Sequence, residues 1–532
     1  QAMKYLEDFR ANLVREEDRT SLFEKFSAYL EFSVYAAIYM KDSKSAFRFL
    51  ENVKGRSLAD ILSERAADLS AKVDASLLRQ RAALEKQIAN LKTLLNTSGD
   101  ADGVSVKAEL KNLNDQLDDL VFKIKSQNPD FASLEYPKPA EVAEIQSKLG
   151  KDETLLQYFI SDYGAWVFVM TGSEFELVKL DSNSTAISEN AVTLLDGLKR
   201  DKYTVAKPAA EMDAEEEMSL EASLKLYDLL INPVESRLKP GSRLVVIPSG
   251  VLNFIPFEAL YSGSSFLIEK YPVKYYQSAT LLTLKRGSLK KERNSKGFAG
   301  FGDPVYDIEN FEKGMEERGV KLGYRGTGLE FEESKSEISR AGLTLFRLRG
   351  TGEEINAIAD LFKAKGQPVD VKLRKDATEE NAKAAELKNF GYISFACHGI
   401  VYPGFQSLAL CTVKDSVNGA QDGYLTFEEI LALDWNAKLV VLSACQTGTG
   451  DMKKTEGIVG LTRAVMYAGT DAVLVSLWTV SDAGTRDLMI NLFTSIVNDS
   501  LPTDESLRLA KLTLIRKGTT PYIWSPFVVF GD

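Results

Sequence analysis

Gly391-Tyr392-Ile393-Ser394-Phe395-Ala396-Cys397-His398-Gly399 is one of two stretches whose reading decides the fold. The other is Lys438-Leu439-Val440-Val441-Leu442-Ser443-Ala444-Cys445, which runs on into Gln446-Thr447-Gly448-Thr449-Gly450. Each is a short apolar run, the length of a strand covered on both faces rather than of a helix. Each closes on a reactive side chain where a glycine-containing loop begins. Laid side by side in a parallel sheet, the two strands send His398 and Cys445 out at the same edge, where open α/β sheets hold their chemistry. His398 is the only histidine in the 532 residues, so any imidazole base must be this one. A thiol beside an imidazole is the minimum equipment for a cysteine nucleophile and its base.

Outward from these runs, strand-like and helix-like segments alternate. Strands are predicted at 297–301, 369–374, 391–397, 439–444 and 471–477. Helices are predicted at 353–365, 378–388, 455–468 and 484–498. This alternation predicts a parallel sheet covered on both faces. The polar stretch Tyr306–Ser339 interrupts it, and a loop of that length is mobile or functional. A second α/β region precedes it, with strands at 153–160, 164–171, 175–180, 242–248 and 266–275, and helices near 184–199 and 219–236. Glu211 to Glu221 reads as a solvated acidic loop.

Residues 3–67 read as helical. Leu22, Phe26, Tyr29, Ala36 and Met40 recur at helical steps, with Ser33 in the one skipped turn. After a turn at Asp42-Ser43, where Ser43 is the candidate cap, a second helix carries Ala46, Phe47, Leu50, Val53, Leu58 and Leu62. Such a hairpin stacks in repeat arrays, although one hairpin shows no period. In 70–127 the spacing changes to heptads: Leu77, Leu84 and Leu91; Ile88 and Leu95. After the turn-like 96–103 come Val106, Leu110, Leu113, Leu117, Leu120 and Ile124. Two readings fit, an antiparallel coiled-coil hairpin or a helical pair packed on the body.

Bulk composition narrows the function. Length predicts two to four domains. The formal charge of −11 argues against a general grip on nucleic acid. There is no 18-residue apolar run, hence no predicted membrane span. The opening Gln1-Ala2-Met3 is no signal peptide and reads as an expression scar or a cut within a longer chain. Three cysteines (Cys397, Cys411, Cys445) fit a reducing cytoplasm better than a disulfide scaffold.

Each candidate residue also has a plainer role. Cys445 is either a nucleophile or a buried core thiol, the common fate of cysteine. A strand-to-loop corner favours the first, since it exposes the side chain and frees backbone N–H groups for an oxyanion. His398 is either a base or a hydrogen-bonded strand-end histidine, and Gly399 after it lets a carbonyl approach the backbone closely. Cys397 should face the core, because strand neighbours point to opposite sides. Cys397, His398 and Cys445 lack zinc-site spacing, and no metal is expected. Asp482, after Ser476-Leu477-Trp478-Thr479-Val480-Ser481, reads from the residues alone as a helix cap rather than a pocket carboxylate. No phosphate-binding loop is present, and Gly350-Thr351-Gly352 lacks the rest of a dinucleotide fingerprint. No cofactor is expected.

Ala396-Cys397-His398-Gly399 with Leu442-Ser443-Ala444-Cys445-Gln446-Thr447-Gly448 resembles the CHAT domain, a branch of the caspase–separase cysteine peptidases. Further landmarks are similar: Leu244–Phe257, Phe301-Gly302-Asp303-Pro304, Gly350–Ile355 and Pro521–Phe527. The resemblance covers about 150–532, and the helical hairpin resembles the end of a tetratricopeptide array. It implies an α/β caspase-like fold: a mostly parallel sheet with helices on both faces, in an inactive and a catalytic half, preceded by α-helical hairpins. The implied domains are 1–68, tetratricopeptide-like; 69–135, coiled-coil hairpin; 136–296, inactive half; and 297–532, catalytic half. Cys445 maps to the nucleophile, His398 to the general base, and the N–H groups of Gly399 and Cys445 to the oxyanion donors. Trp478 to Asp482 is similar to the separase stretch whose aspartate lines a pocket for a basic P1 side chain, which makes Asp482 and Trp478 substrate-binding candidates. Gln446 stands where the family often has an acidic residue. The implied function is a cytoplasmic cysteine endopeptidase acting on a protein substrate after a basic residue. A protein activator would dock on the helical region, with no membrane and no direct nucleic-acid binding. No third catalytic side chain is expected. The rival readings are a catalytically silent CHAT-fold scaffold and an acyltransferase using the same thiol.

Overall fold

The computed structural model describes residues 16–52, 54, 139–199, 214–239, 241–287, 293–294, 296–315, 317, 320–321, 344–402, 405–411, 422–443, 446–447, 456–478 and 482–532, with scattered positions between 77 and 123. Its strands are β1 (Glu153–Ser161), β2 (Gly164–Met170), β3 (Phe175–Leu180), β4 (Arg243–Ile247), β5 (Val273–Tyr275), β6 (Phe298–Pro304), β7 (Val320–Lys321), β8 (Thr344–Leu345), β9 (Val369–Arg374), β10 (Tyr392–Ala396), β11 (His398–Tyr402), β12 (Phe405–Ala409), β13 (Tyr424–Thr426), β14 (Leu439–Leu442), β15 (Gln446–Thr447), β16 (Ala472–Ser476) and β17 (Phe527–Gly531). The main helices are α1 (Glu16–Tyr39), α2 (Ser43–Glu51), α3 (Ser184–Leu198), α4 (Ala214–Leu230), α5 (Ala279–Arg286), α6 (Arg349–Ala364), α7 (Glu456–Tyr467), α8 (Asp482–Asp499) and α9 (Thr503–Arg516).

Eleven strands form one sheet in the order β3-β2-β1-β4-β5-β17-β16-β14-β10-β6-β9. Seven of its ten neighbouring pairs run parallel, so the fold is the mostly parallel α/β class that the alternation predicts. The central strands β10, β14 and β16 are buried throughout, as continuous apolar runs require. The edge strand β9 alternates Val369, Val371 and Leu373 with Asp370, Lys372 and Arg374 and is half-buried along its length. Charge on an edge discourages pairing with another chain. The last strand, β17, joins the two halves: it runs antiparallel to β16 and parallel to β5.

The chain leaves β6 through α6 to β9 on one side, and β10 then returns on the other side of β6. The sheet therefore has a topological switch point between β6 and β10, with the crevice at their carboxyl ends. Helix α6 lies close over β6. A Cβ at Gly300 would meet Ile355 at 2.6 Å, and one at Gly302 would meet the Thr351 carbonyl oxygen at 2.9 Å. Only glycine admits that approach.

The helical hairpin packs on the first half. Phe47 of α2 meets Phe168 and Phe175 edge-on, at 5.2 and 5.7 Å between ring centres. The buried Glu51 carboxylate accepts from Gln157 Nε2 and from the N–H of Thr280, capping α5. Several sequence expectations change here. Asp42, not Ser43, caps α2, its carboxylate accepting from the Ser45 N–H at 3.0 Å. Helix α2 ends at Glu51, and the expected continuation through Leu62 lies outside the described residues. Residues 266–275 are a helical turn, Leu267–Lys270, and the short β5 rather than one strand, because Pro272 interrupts the run. In the heptad region Ile88, Leu110 and Leu113 bury one another, with Leu84, Leu91 and Leu117 packed on them. The two arms therefore meet. The turn between them lies outside the described residues.

Candidate active site

Strand β10 ends at Ala396, one residue earlier than the sequence predicts. Cys397 breaks the strand and is wholly buried. His398 then opens β11 rather than a loop, as part of a second, four-stranded sheet of order β13-β12-β11-β15. This places the imidazole at the carboxyl end of β10, on the switch-point crevice.

Ala444 and Cys445 lie outside the described residues, but their flanks do not. Leu442 pairs with Phe395, and the Ser443 N–H donates to the Phe395 carbonyl at 3.1 Å. Beyond them Gln446 pairs with Ile400 and Thr447 with Val401. On both sides of the candidate nucleophile the chain is thus hydrogen-bonded to the strands that flank His398. Of the other thiols, Cys397 and Cys411 are both buried, and burial pushes the Cys411 thiol up to about 11. A thiol held neutral in this way is a poor nucleophile at neutral pH.

His398 is 7% exposed and held from two sides. Its Nε2 lies 2.8 Å from the carbonyl oxygen of Phe346. A carbonyl only accepts, so Nε2 carries a hydrogen, and the neutral ring has its lone pair on Nδ1. The His398 backbone N–H donates to the Tyr306 hydroxyl at 3.2 Å, and that hydroxyl donates to the Ala409 carbonyl at 3.3 Å. His398 and Ala409 face each other across β11 and β12, so the phenol bridges the ladder there. The Tyr306 ring lies 5.3 Å from the imidazole. Burial above all holds its hydroxyl well above the usual tyrosine range.

Phe346 and Tyr306 are the members that sequence reasoning missed. Any residue has a backbone carbonyl, so nothing in the side chains marks Phe346. Tyr306 opens the polar stretch that reads only as a long loop. A backbone carbonyl, that of Phe346, thus orients the imidazole.

The remaining candidates are placed as follows. Gly399 lies in β11 opposite Leu408. Asp482 is the first residue of α8, and its side chain lies outside the described residues. Trp478 is 3% exposed, and its indole N–H donates to the Tyr522 carbonyl at 3.2 Å. The structure thus places that ring in the core beside the C-terminal segment rather than on an open surface. Among the described residues no group of His, Cys, Asp and Glu stands in position to hold a metal. No described helix is long and apolar enough to cross a membrane.

A mostly parallel sheet with helices, and an imidazole at its switch point, defines an α/β protein. The chain belongs to the CHAT domain family, which it matches over residues 220–532. It is 30% identical over 332 residues to tetratricopeptide repeat protein 28 of Homo sapiens, a match covering 58% of this chain and 13% of that protein. To the Mus musculus protein of the same name it is 32% identical over 111 residues, covering 20% and 4%. The chain therefore spans only a small part of these relatives. Among solved structures it is similar to the Arg-specific cysteine proteinase gingipain R, with 12% identity, a TM-score of 0.36, and 65% of this chain and 75% of that one covered. It is also similar to the Saccharomyces cerevisiae separase–securin complex, with 11% identity, a TM-score of 0.39, and coverage of 97% and 44%.

Proposed function

We propose that this chain is a cysteine endopeptidase whose nucleophile is Cys445 and whose base is His398. The observation that carries the reading is the tether on the sole imidazole. Phe346 fixes the hydrogen on Nε2, which leaves Nδ1 to take a proton, on a strand paired with the residues that flank Cys445. This is the nucleophile–base–orienter arrangement with a backbone carbonyl as orienter.

In this mechanism Nδ1 takes the Cys445 proton and Sγ attacks the scissile carbonyl carbon. The resulting oxyanion accepts from the N–H groups of Gly399 and Cys445. Nδ1–H then protonates the leaving amine as the C–N bond breaks. Water, activated by the same nitrogen, hydrolyses the thioester and restores the thiol. Asp482, at the start of α8, supplies the carboxylate that selects a basic P1 side chain. The helical N-terminal region receives a protein activator, and the working compartment is the cytoplasm.

The test is a peptide library with every P1 residue, cleaved by the parent chain, Cys445→Ala and Asp482→Asn. Cys445→Ala should lose cleavage and keep its melting temperature. Asp482→Asn should lose cleavage after Arg and Lys selectively, by the ~2–4 kcal/mol that an unpaired buried charge costs. Cleavage by Cys445→Ala at the parent rate would overturn the nucleophile. An inert parent chain would leave the silent scaffold as the reading.

A further inference from the structure

We propose that Arg347 and Asp303 are positioning residues for His398: their ion pair fixes the peptide plane whose carbonyl oxygen holds Nε2. This rests on the dyad reading above and deepens it.

The Phe346 carbonyl belongs to the peptide that joins Phe346 to Arg347, so its direction is set by whatever holds Arg347 and Leu348. The Phe346 side chain does not hold it, being 60% exposed. Arg347 is gripped as a fork, its Nε 2.9 Å from Asp303 Oδ1 and its Nη2 2.7 Å from Oδ2. A bidentate guanidinium–carboxylate pair fixes orientation as well as distance. Leu348 is tied to the same residue by another route. The Asp303 N–H donates to Thr351 Oγ1 at 2.8 Å, and the Thr351 hydroxyl donates to the Leu348 carbonyl at 2.7 Å. Asp303 thus holds both residues that follow Phe346.

The backbone is bent to make this possible. Asp303, next to last in β6, has φ +46°, and Arg374 ends the adjacent β9 with φ +56°. Neither is glycine, and non-glycine residues in the left-handed region mark positions that the surroundings over-determine. The β6–β9 register shifts between Gly302 and Pro304, a bulge that turns the Asp303 carboxylate out of the ladder. Arg374 Nη1 then donates to the Asp303 carbonyl at 3.1 Å and to Oδ1 at 2.8 Å, and its Nη2 pairs with Glu317. A tie that served stability alone would need neither the bulge nor two left-handed residues. Both lie toward the carboxyl ends of β6 and β9, and β6 pairs with β10, the strand that leads to His398. This also gives a purpose to two sequence landmarks, Phe301–Pro304 and Gly350–Ile355: they meet at Asp303 and Thr351.

The experiment uses the full chain with 15N-labelled histidine, in which the one imidazole gives one pair of nitrogen signals. Two readings are taken on the parent, Arg347→Ala, Arg347→Lys and Asp303→Asn, with melting temperatures alongside. The first is the tautomer at pH above the imidazole titration. The second is the pH profile of iodoacetamide alkylation at Cys445, followed by peptide mapping. The parent should show hydrogen on Nε2. Arg347→Ala and Asp303→Asn should show a mixture of tautomers, and alkylation near neutral pH should fall roughly 10–100-fold, as when an orienting partner is lost. Arg347→Lys, which keeps the charge and loses the fork, should fall between. Should Asp303→Asn fail to fold, the part-exposed Arg347 variants decide. A folded Arg347→Ala with the parent tautomer and the parent alkylation profile would overturn the proposal. His398→Ala is the separate control. If it leaves Cys445 alkylation unchanged, the dyad is wrong, while the tautomer reading still decides the clamp.

Discussion

Lys54 and His398 occupy comparable places in the two halves of the sheet, each at the carboxyl end of a central strand. In the first half the Lys54 ammonium donates to the carbonyls of Pro248, just past β4, and of Tyr158 in β1. Burial, partly opposed by the charge of Glu51, pulls its pKa down to about 7. In the second half the end of β10 carries an imidazole held by a carbonyl and a phenol. The rest of the polar network follows the same division. Glu258 and Lys511 pair at 3.0 Å with both side chains wholly buried, and the Tyr275 hydroxyl donates to the same carboxylate at 2.5 Å. The buried Asp303 carboxylate instead pairs with two partly exposed arginines, Arg347 and Arg374, on a strained edge. Charge closes the first half and is aimed in the second. A switch-point crevice costs a domain nothing where the strand ends are plugged.

The largest expected effect tests closure. Lys511→Met leaves the Glu258 carboxylate buried without its cation and should cost about 3–5 kcal/mol in a urea titration. Glu258→Met together with Lys511→Met should recover much of that, since an apolar pair of similar volume replaces the ions. The imidazole signal of His398 should not move in either variant. A shift there would show that the halves are coupled through this pair, and the contrast between them would fail.

The two halves should also respond to pH in opposite directions. Burial raises the Glu153 carboxyl, but Arg286 and Lys274 overcome it and hold the group down to about 2. A folded pKa below the unfolded value contributes stability that is present above about 4.5 and lost as pH falls toward 2. In the second half burial, and then the charge of Glu429, push Glu379 up to about 8. A raised folded pKa contributes stability that is full below the unfolded value and is lost as pH rises through about 8. Melting temperature against pH should therefore fall on both sides of a maximum. Arg286→Leu should move the acid limb to higher pH. Glu379→Gln should flatten the slope between pH 5 and 8. If Glu379→Gln leaves that slope intact, the alkaline limb comes from elsewhere.

The two halves also differed in how far they could be read from the sequence. Strands β1, β2, β4, β6, β10, β14 and β16 appear as apolar runs because a doubly covered strand is apolar throughout, and the edge strands β3 and β9 appear as alternating ones. His398 and Cys445 stand out because each ends such a run. The clamp does not, since Asp303 reaches Arg347 and Arg374 across 44 and 71 residues and only the strand order brings them together. Helix α9 and strand β17 were absent from the strand and helix assignments, although β17 is the seam of the sheet. The Ser43 assignment shows the same limit on a smaller scale. Asp42 and Ser43 are both cap-formers, and one residue of backbone geometry decides between them.

The smallest expected effect separates the two tethers on His398. Tyr306→Phe removes a hydroxyl that accepts from the His398 N–H and donates to the Ala409 carbonyl, and leaves the ring in place. Both backbone groups lose their partner in a buried setting, which should cost about 1–3 kcal/mol. Strands β11 and β12 can recover part of it by closing their own ladder at that pair. Amide exchange at His398 and Ala409 should quicken. The tautomer should not change, because Nε2 is held from the opposite direction by Phe346. Tyr306→Phe and Arg347→Ala thus make a matched pair, the first acting on stability with the tautomer kept, the second on the tautomer with stability kept. If Tyr306→Phe mixes the tautomers as Arg347→Ala does, the imidazole is oriented through its backbone, and the carbonyl of Phe346 only follows.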